Sequence, residues 1–133
     1  MKIREAQALD WPDIYQLIED NMYQMQKALG LSWDKGVITQ HCQSKSVLIG
    51  EHEGEILGFI AYGYTNNQPF IHSLQVAKKH QNRLYGFRLF KAVISEAKRK
   101  GSNVIKCSVF ANNQAKEIYR NHSLLENNDK VYL

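Results

Sequence analysis

The chain has 133 residues, of which 44% are hydrophobic, and a formal net charge of +4. This length allows one hydrophobic core and predicts a single domain over residues 1–133. The hydrophobic content argues against disorder, and no stretch approaches the roughly 20 apolar residues of a membrane span. Two cysteines, Cys42 and Cys107, are too few for a disulfide scaffold and have no metal-binding spacing. Since the N-terminus lacks an apolar leader, we expect a cytoplasmic protein without a membrane partner.

Positive charge gathers around residues 78–91 and again at residues 98–100. Clustered lysine and arginine are also typical of nucleic-acid-binding proteins. The sequence shows neither the aromatic platform nor the recognition helix that such proteins use. A single small anionic ligand accounts for the first cluster equally well, and the second suits the negative end of a helix dipole. We therefore expect no nucleic-acid partner.

The first half of the chain reads as a strand, two helices and a strand hairpin. Asp10 and Pro12 are typical of a helix start, with the aspartate as the capping residue. Apolar residues then recur at helical spacing, and Gly30 ends the pattern. Two apolar runs around a turn at residues 53–55 predict a β-hairpin. The predicted elements are a strand at 2–6, helices at 11–27 and 32–43, and strands at 47–49 and 56–64.

The second half alternates strands with helices. Residues 66–69 interrupt the strand pattern before an apolar run at 70–76, and the amphipathic helix that follows ends at Gly101. The remaining predictions are a strand at 104–110, a short helix that Asn112 can cap, and a final strand at 130–133. This order predicts an α/β fold in which one mixed sheet carries helices on its faces.

The junction between the strand at 70–76 and the next helix is a candidate anion site. Its segment at 81–86 reads QNRLYG. The first N–H groups of a helix have no intrahelical acceptor, and the helix dipole places partial positive charge there. We therefore expect a phosphate group at this turn. The alternative is an ordinary helix N-terminus that binds nothing.

Two motifs and the order of elements resemble the GNAT superfamily of N-acetyltransferases over nearly the whole chain. Members carry Gln/Arg-x-x-Gly-x-Gly/Ala before the helix that follows the fourth strand. Here Gln81 and Gly86 match this motif, and Leu84 replaces its first glycine. A second family pattern, Asn-x-x-Ala-x-x-x-Tyr, is met by Asn112, Ala115 and Tyr119. The resemblance implies a GNAT-like fold with a mixed, mostly antiparallel central sheet flanked by about four helices.

The resemblance also implies acetyl-CoA as the co-substrate and no metal. Backbone N–H groups of the turn would hold the pyrophosphate, and the strand that ends at Val76 would lie alongside the pantetheine arm. Leu84 retains its N–H group, so the missing glycine should affect the affinity without abolishing binding. The residues expected to bind the cofactor are Leu74, Gln75, Val76, Gln81, Asn82, Arg83, Leu84, Tyr85, Gly86, Phe87 and Asn112.

Two residues are candidates for catalytic proton transfer. Tyr119 matches the family tyrosine that lies near the CoA sulfur and can protonate the leaving thiolate; its alternative role is packing. His72 occupies the place of a histidine in the arylalkylamine branch of the family. An imidazole with a pKa of ~6.5 suits the deprotonation of an amine, although a structural histidine is the alternative. His72 lies four residues before Val76, so strand alternation predicts that both side chains share one face.

The implied reaction is acetyl transfer to a primary amine by direct attack in a ternary complex. The alternative is a catalytically weak or silent CoA-binding module, because Leu84 and the Ser123-Leu124 pair depart from the family pattern. The acceptor would be a small-molecule or peptide amine, shaped by residues 21–43 and 66–70. Acidic residues that could select a polyamine are few near these segments: Glu19, Asp20 and Asp34. The family analogy also makes a homodimer possible.

Overall fold

The computed structural model describes residues 1–81, 83–107, 125–126 and 130–132. Helices and strands are numbered in chain order. The strands are β1 (Lys2–Glu5), β2 (Ser46–His52), β3 (Glu55–Thr65), β4 (Gln68–Val76), β5 (Val104–Cys107), β6 (Leu125–Glu126) and β7 (Lys130–Tyr132). The α-helices are α1 (Trp11–Ala28), α2 (Lys35–Gln43) and α3 (Tyr85–Arg99), with short 3₁₀ turns at Ala8–Asp10 and Lys78–His80.

The described strands form one seven-stranded sheet in the order β1-β2-β3-β4-β5-β7-β6. All neighbours in this sheet are antiparallel except β4 and β5. Those two run parallel, with Phe70 opposite Lys106 and Ile71 opposite Cys107. A parallel pair needs a long crossover, and α3 supplies it between β4 and β5. The sheet is therefore mixed and mostly antiparallel, which confirms the fold class expected from the sequence.

Hydrophobic side chains cover both faces of the sheet. Along β3, Phe59 and Ala61 belong to one buried cluster, whereas Ile60 and Tyr62 belong to the other. This alternation is what a strand buried on both sides requires. The first cluster contains the apolar stripe of α1 together with Cys42 of α2, and the second contains the apolar stripe of α3. The two faces are called the α1/α2 face and the α3 face below.

The start of α1 differs from the expectation in one respect. Asp10 stands at the N-cap position, but its carboxylate does not cap the helix. It accepts a hydrogen bond from the Gln7 backbone N–H at 2.7 Å and forms a two-pronged ion pair with Arg4 at 2.8 and 3.0 Å. Arg4 also bonds Glu51, which joins β1 to β2. The Arg4 hydrogen bonds hold the pKa of Asp10 below its ordinary value.

Two other boundaries shift for local reasons. Helix α2 begins at Lys35 and not at residue 32, because the Asp34 carboxylate caps it by accepting from the Val37 N–H at 3.0 Å. The break expected at 66–69 is a two-residue hairpin turn, in which Asn66 and Asn67 adopt positive φ values of 52° and 65°. Such left-handed asparagine pairs match the twist of the flanking strands, so β4 begins at Gln68.

Three α-helices lie in the described part of the chain, against about four expected. The helix expected from Asn112 and the end of the strand expected at 104–110 lie outside the described residues. Across the described residues, no helix combines the length and apolar character needed to cross a membrane.

Candidate active site

The end of β4 is tied to α1 and to the following turn through one carbonyl oxygen. The Val76 carbonyl accepts a hydrogen bond from Asn21 Nδ2 at 2.9 Å and another from Gln81 Nε2 at 3.0 Å. Asn21 Nδ2 also donates to Gln75 Oε1 at 3.0 Å. Gln75 is buried, so this amide network is shielded from competing water. It fixes the position at which β4 ends and the candidate anion turn begins.

Sequence reasoning did not single out Asn21, although a signal for it exists. Positions 14, 18, 21 and 25 follow the inward-facing helical spacing of α1. Asn21 is the polar residue in that otherwise apolar series, and an amide on an inward face needs hydrogen-bond partners. Its Nδ2 finds two partners, whereas its Oδ1 is buried without one among the described residues.

Strand β3 approaches β4 unusually closely beside this network. Gly58 pairs with Val76 across the two strands. A Cβ atom at position 58 would lie 2.6 Å from the Gln75 carbonyl oxygen and 3.2 Å from the Val76 Cα. Only glycine fits at so short a distance from a backbone. Gly58 therefore sets the position of the β4 end from the β3 side.

The candidate anion turn leads directly into α3. Leu84 is the N-cap residue of that helix, and its hydrocarbon side chain offers no acceptor for the first-turn N–H groups. The Leu84 side chain is 73% exposed, and Arg83 is exposed beside it. Uncapped first-turn N–H groups and the exposed Arg83 are therefore neighbours in the chain at the start of α3, and both kinds of group favour an anion.

The 3₁₀ turn at Lys78–His80 is fastened to the sheet before the anion turn. Lys79 Nζ lies 2.8 Å from Glu55 Oε1, and His80 Nε2 lies 3.6 Å from the same oxygen. The Lys79 contact holds the pKa of Glu55 below its ordinary value. The His80 ring also packs edge-on against Tyr85 in the first turn of α3. These contacts connect β3 with the beginning of α3.

His72 lies at an irregularity in β4. Ala61 pairs with Ser73 and Tyr62 pairs with Ile71, so His72 is the extra residue of a β-bulge. The bulge reverses the alternation of side chains along the strand. Leu74, which shares a face with Val76, is buried in the cluster on the α3 face, whereas His72 packs against His41 of α2. The expectation that His72 and Val76 share one face is therefore wrong.

The His72 ring is half-buried on the α1/α2 face. Its centroid lies 5.5 Å from that of His41 and 4.7 Å from that of Phe70. Burial lowers the pKa of His72 below its ordinary value of 6.5, and the neighbouring Lys45 and His41 add to the effect. The imidazole is therefore neutral at pH 7 and has a lone pair with which to accept a proton.

Of the expected cofactor residues, the structure brings Gln75, Val76 and Gln81 into one network, with residues 83–87 following directly. Leu74 lies in the core beneath them. Asn82, Asn112 and Tyr119 lie outside the described residues. In the described part, no three His, Cys, Asp or Glu side chains are grouped so that they could hold a metal ion.

Residues 4–122 match the model of the acetyltransferase (GNAT) family. The match covers most of the chain, so this protein belongs to the GNAT family of acetyltransferases and is an N-acyltransferase. No curated protein sequence is similar enough to count as a relative.

Solved structures agree on the fold. The PaiA N-acetyltransferase of Thermoplasma acidophilum, in complex with coenzyme A, superposes with a TM-score of 0.75 at 13% identity, over 99% of this chain and 98% of that one. A GNAT family acetyltransferase of Elizabethkingia anophelis with acetyl-CoA bound gives 0.73 at 19% identity, over 99% and 97%. The ribosomal-protein-alanine N-acetyltransferase of Brucella melitensis gives 0.68 at 22% identity, over 91% and 82%. At these identities the likeness concerns the fold.

The close approach at Gly58 makes a testable prediction. Gly58→Ala should lower the free energy of unfolding by about 1–3 kcal/mol, because the new methyl group forces the two strand backbones apart. Urea denaturation followed by circular dichroism measures the change. The matched control is Gly36→Ala in α2, where a Cβ meets only the Asp34 side chain at 3.4 Å, and it should not destabilise the fold. Equal stability of Gly58→Ala and the native protein would contradict the prediction.

Proposed function

We propose that this GNAT family member transfers an acetyl group from acetyl-CoA to a primary amine, by direct attack in a ternary complex. The observation that carries the proposal is the junction at Val76. There one hydrogen-bonded network fixes the end of β4 and the turn that leads into a helix N-terminus, next to the exposed Arg83. Membership of the family supplies the reaction class, and the junction supplies a place for the donor.

The residues at the junction suit the donor. The N–H groups at the start of α3 and the Arg83 guanidinium match the charge of a pyrophosphate. The backbone of residues 74–76, held by Asn21 and Gly58, offers a rigid edge for an extended amide-containing arm. Bound acetyl-CoA supplies a thioester, whose carbonyl carbon is the electrophile. At this junction, the protein's own residues would bind and orient acetyl-CoA.

His72 is the proposed general base. Its lowered pKa leaves the imidazole unprotonated at pH 7, so it can take a proton from an ammonium group directly or through one water molecule. The bulge turns this side chain toward the α1/α2 face, where it lies against His41 of α2. Tyr119, outside the described residues, is the proposed acid for the leaving thiolate, on the strength of its motif position.

Thermal unfolding tests the donor site. Acetyl-CoA at ~100 times its dissociation constant should add about 2.7 kcal/mol to the free energy of unfolding and raise the midpoint by roughly 10 °C for a chain of this size. ATP at the same concentration and ionic strength is the control anion. An absent shift with acetyl-CoA, or an equal shift with ATP, would contradict the proposal.

The catalytically silent alternative gives a different result in the same samples. A silent module would be stabilised by acetyl-CoA but would release no free CoA thiol with any amine. The proposed enzyme is stabilised by acetyl-CoA and also releases the CoA thiol when an amine acceptor is present.

Leu84→Gly restores the family motif and should lower the dissociation constant for acetyl-CoA, because glycine permits a closer approach of the backbone.

The role of His72 predicts a particular pH profile. With a base of lowered pKa, kcat/KM should rise on an acidic limb whose midpoint lies below pH 6.5 and then stay level up to the pKa of the acceptor amine. In His72→Gln no base remains, so kcat/KM should climb by about tenfold per pH unit toward that amine pKa. Initial rates of CoA thiol release at fixed ionic strength measure both profiles.

A control substitution separates the base from a general loss of structure. His52 is exposed at the end of β2 and is separated from β4 by β3, and His52→Gln should keep the native profile. An unchanged acidic limb in His72→Gln would remove His72 from the mechanism.

A further inference from the structure

We propose that the acceptor amine also carries an anionic group, a carboxylate or a phosphate ester, and that Lys45 binds this group beside His72. The inference rests on the proposed function and goes further, because it assigns a chemical class to the acceptor and a binding residue that the sequence motifs do not include.

The space for such a group lies at Gly63. This glycine stands on β3 directly opposite Phe70, and its missing side chain would point toward the α1/α2 face. A Cβ atom built there would lie 3.8 Å from His72 Nε2 and 3.9 Å from Lys45 Cδ. The base and the lysine therefore flank Gly63, and the space that its absent side chain leaves between them is called the hollow below. A short molecule could present its amine to His72 and its anion to Lys45.

The cation beside this hollow is Lys45, for which the described residues supply no counter-ion. Lys45 is half-buried, and the ion pairs that the described residues form involve other cations. His41 approaches His72 from α2 on the same face. Desolvation is the largest cause of the lowered pKa of His72, and Lys45 and His41 lower it further, which agrees with their closeness to the imidazole. A partly desolvated cation without a partner favours an incoming anion.

The acidic residues that could instead select a polyamine are already engaged. Glu19 accepts a hydrogen bond from the Tyr15 hydroxyl at 2.8 Å. Asp20 accepts one from Gln16 at 2.8 Å, and Asp34 caps α2. Two further lysines lie near these acids: Lys35 stacks over the ring of Tyr15 and Lys27 over that of Tyr23. These three carboxylates therefore already accept hydrogen bonds, and lysines lie on the same side of the site.

The anion at Lys45 is distinct from the donor's phosphates. His72 precedes Val76 by four residues, and a strand rises by ~3.3 Å per residue, so the hollow lies roughly 13 Å back along β4 from Val76. The hollow is also on the α1/α2 face, whereas Leu74 and α3 lie on the other. In this proposal the C-terminal end of β4 lies beside the donor, and the bulge lies beside the acceptor.

A matched set of short acceptors tests the proposal. β-Alanine carries a carboxylate, β-alaninamide has the same length without the charge, and O-phosphoethanolamine carries a phosphate ester. With acetyl-CoA at saturation, kcat/KM for at least one anionic acceptor should exceed that for β-alaninamide by about tenfold or more. The larger of the two anionic values identifies the type of anion. Equal kcat/KM for all three acceptors would overturn the proposal while leaving the acetyltransferase activity intact.

Two lysine variants test the assignment to Lys45. Lys45→Gln should bring the ratio of anionic to neutral kcat/KM close to 1. Lys2→Gln removes the same charge from an exposed position on β1, where it lies opposite Glu51 at the far end of β2 from Lys45. The ratio should remain at its native value in that variant. A native ratio in Lys45→Gln would overturn the assignment.

A binding measurement covers the case in which none of these amines is turned over. Acetate and inorganic phosphate are titrated at constant pH and ionic strength, and the NMR signals of the His72 ring are followed. At least one anion should shift them in the native protein and in Lys2→Gln but not in Lys45→Gln. Unmoved signals in the native protein would overturn the proposal. Failure of the proposed function shows separately, as absent stabilisation by acetyl-CoA.

Discussion

The carbonyl oxygen of Val76 accepts hydrogen bonds from two side chains that come from different parts of the chain, Asn21 of α1 and Gln81 of the anion turn. A carbonyl has two lone pairs, and both are used here. This pair of bonds determines where β4 stops and where the turn into α3 starts. Gly58 holds the same point from β3, because no larger residue fits against the Gln75 carbonyl. The proposed donor site depends on this junction, since it aligns the strand edge with the helix N-terminus.

The β-bulge at His72 places the side chains of His72 and Leu74 on opposite faces of the sheet. After the bulge, Leu74 packs on the α3 face, and the strand then ends beside the turn into α3. At the bulge, the histidine reaches the opposite face, next to α2 and the Gly63 hollow. A direct transfer mechanism needs donor and acceptor to reach one point from different directions. In the proposed mechanism, the extra residue of the bulge meets this requirement without an inserted loop.

The element order and the fold class could be predicted, because hydrophobic periodicity is strong in α1, α3 and the central strands. The turn before α3 was predictable because it depends on local sequence and on helix geometry, and its binding of an anion stays a prediction. The bulge was not, since the pairing of Ala61 with Ser73 is a property of two strands together. Asn21 and Lys45 were missed for a similar reason: the contacts of Asn21 and the proposed role of Lys45 depend on residues distant in sequence, and neither residue belongs to a motif. Asp10 looked like a cap but pairs with Arg4, because a tertiary ion pair outcompetes the local bond.

The central claim is that the junction at Val76 and the start of α3 form one preformed donor site. Amide hydrogen exchange with and without acetyl-CoA tests it most directly, because first-turn N–H groups exchange rapidly unless an acceptor covers them. The account predicts that exchange at residues 84–87 slows by about tenfold or more at saturating acetyl-CoA, while the 3₁₀ turn at Ala8–Asp10 keeps its rate. Unchanged exchange at residues 84–87 under saturating ligand would contradict it, and the donor would then have to bind elsewhere on the chain.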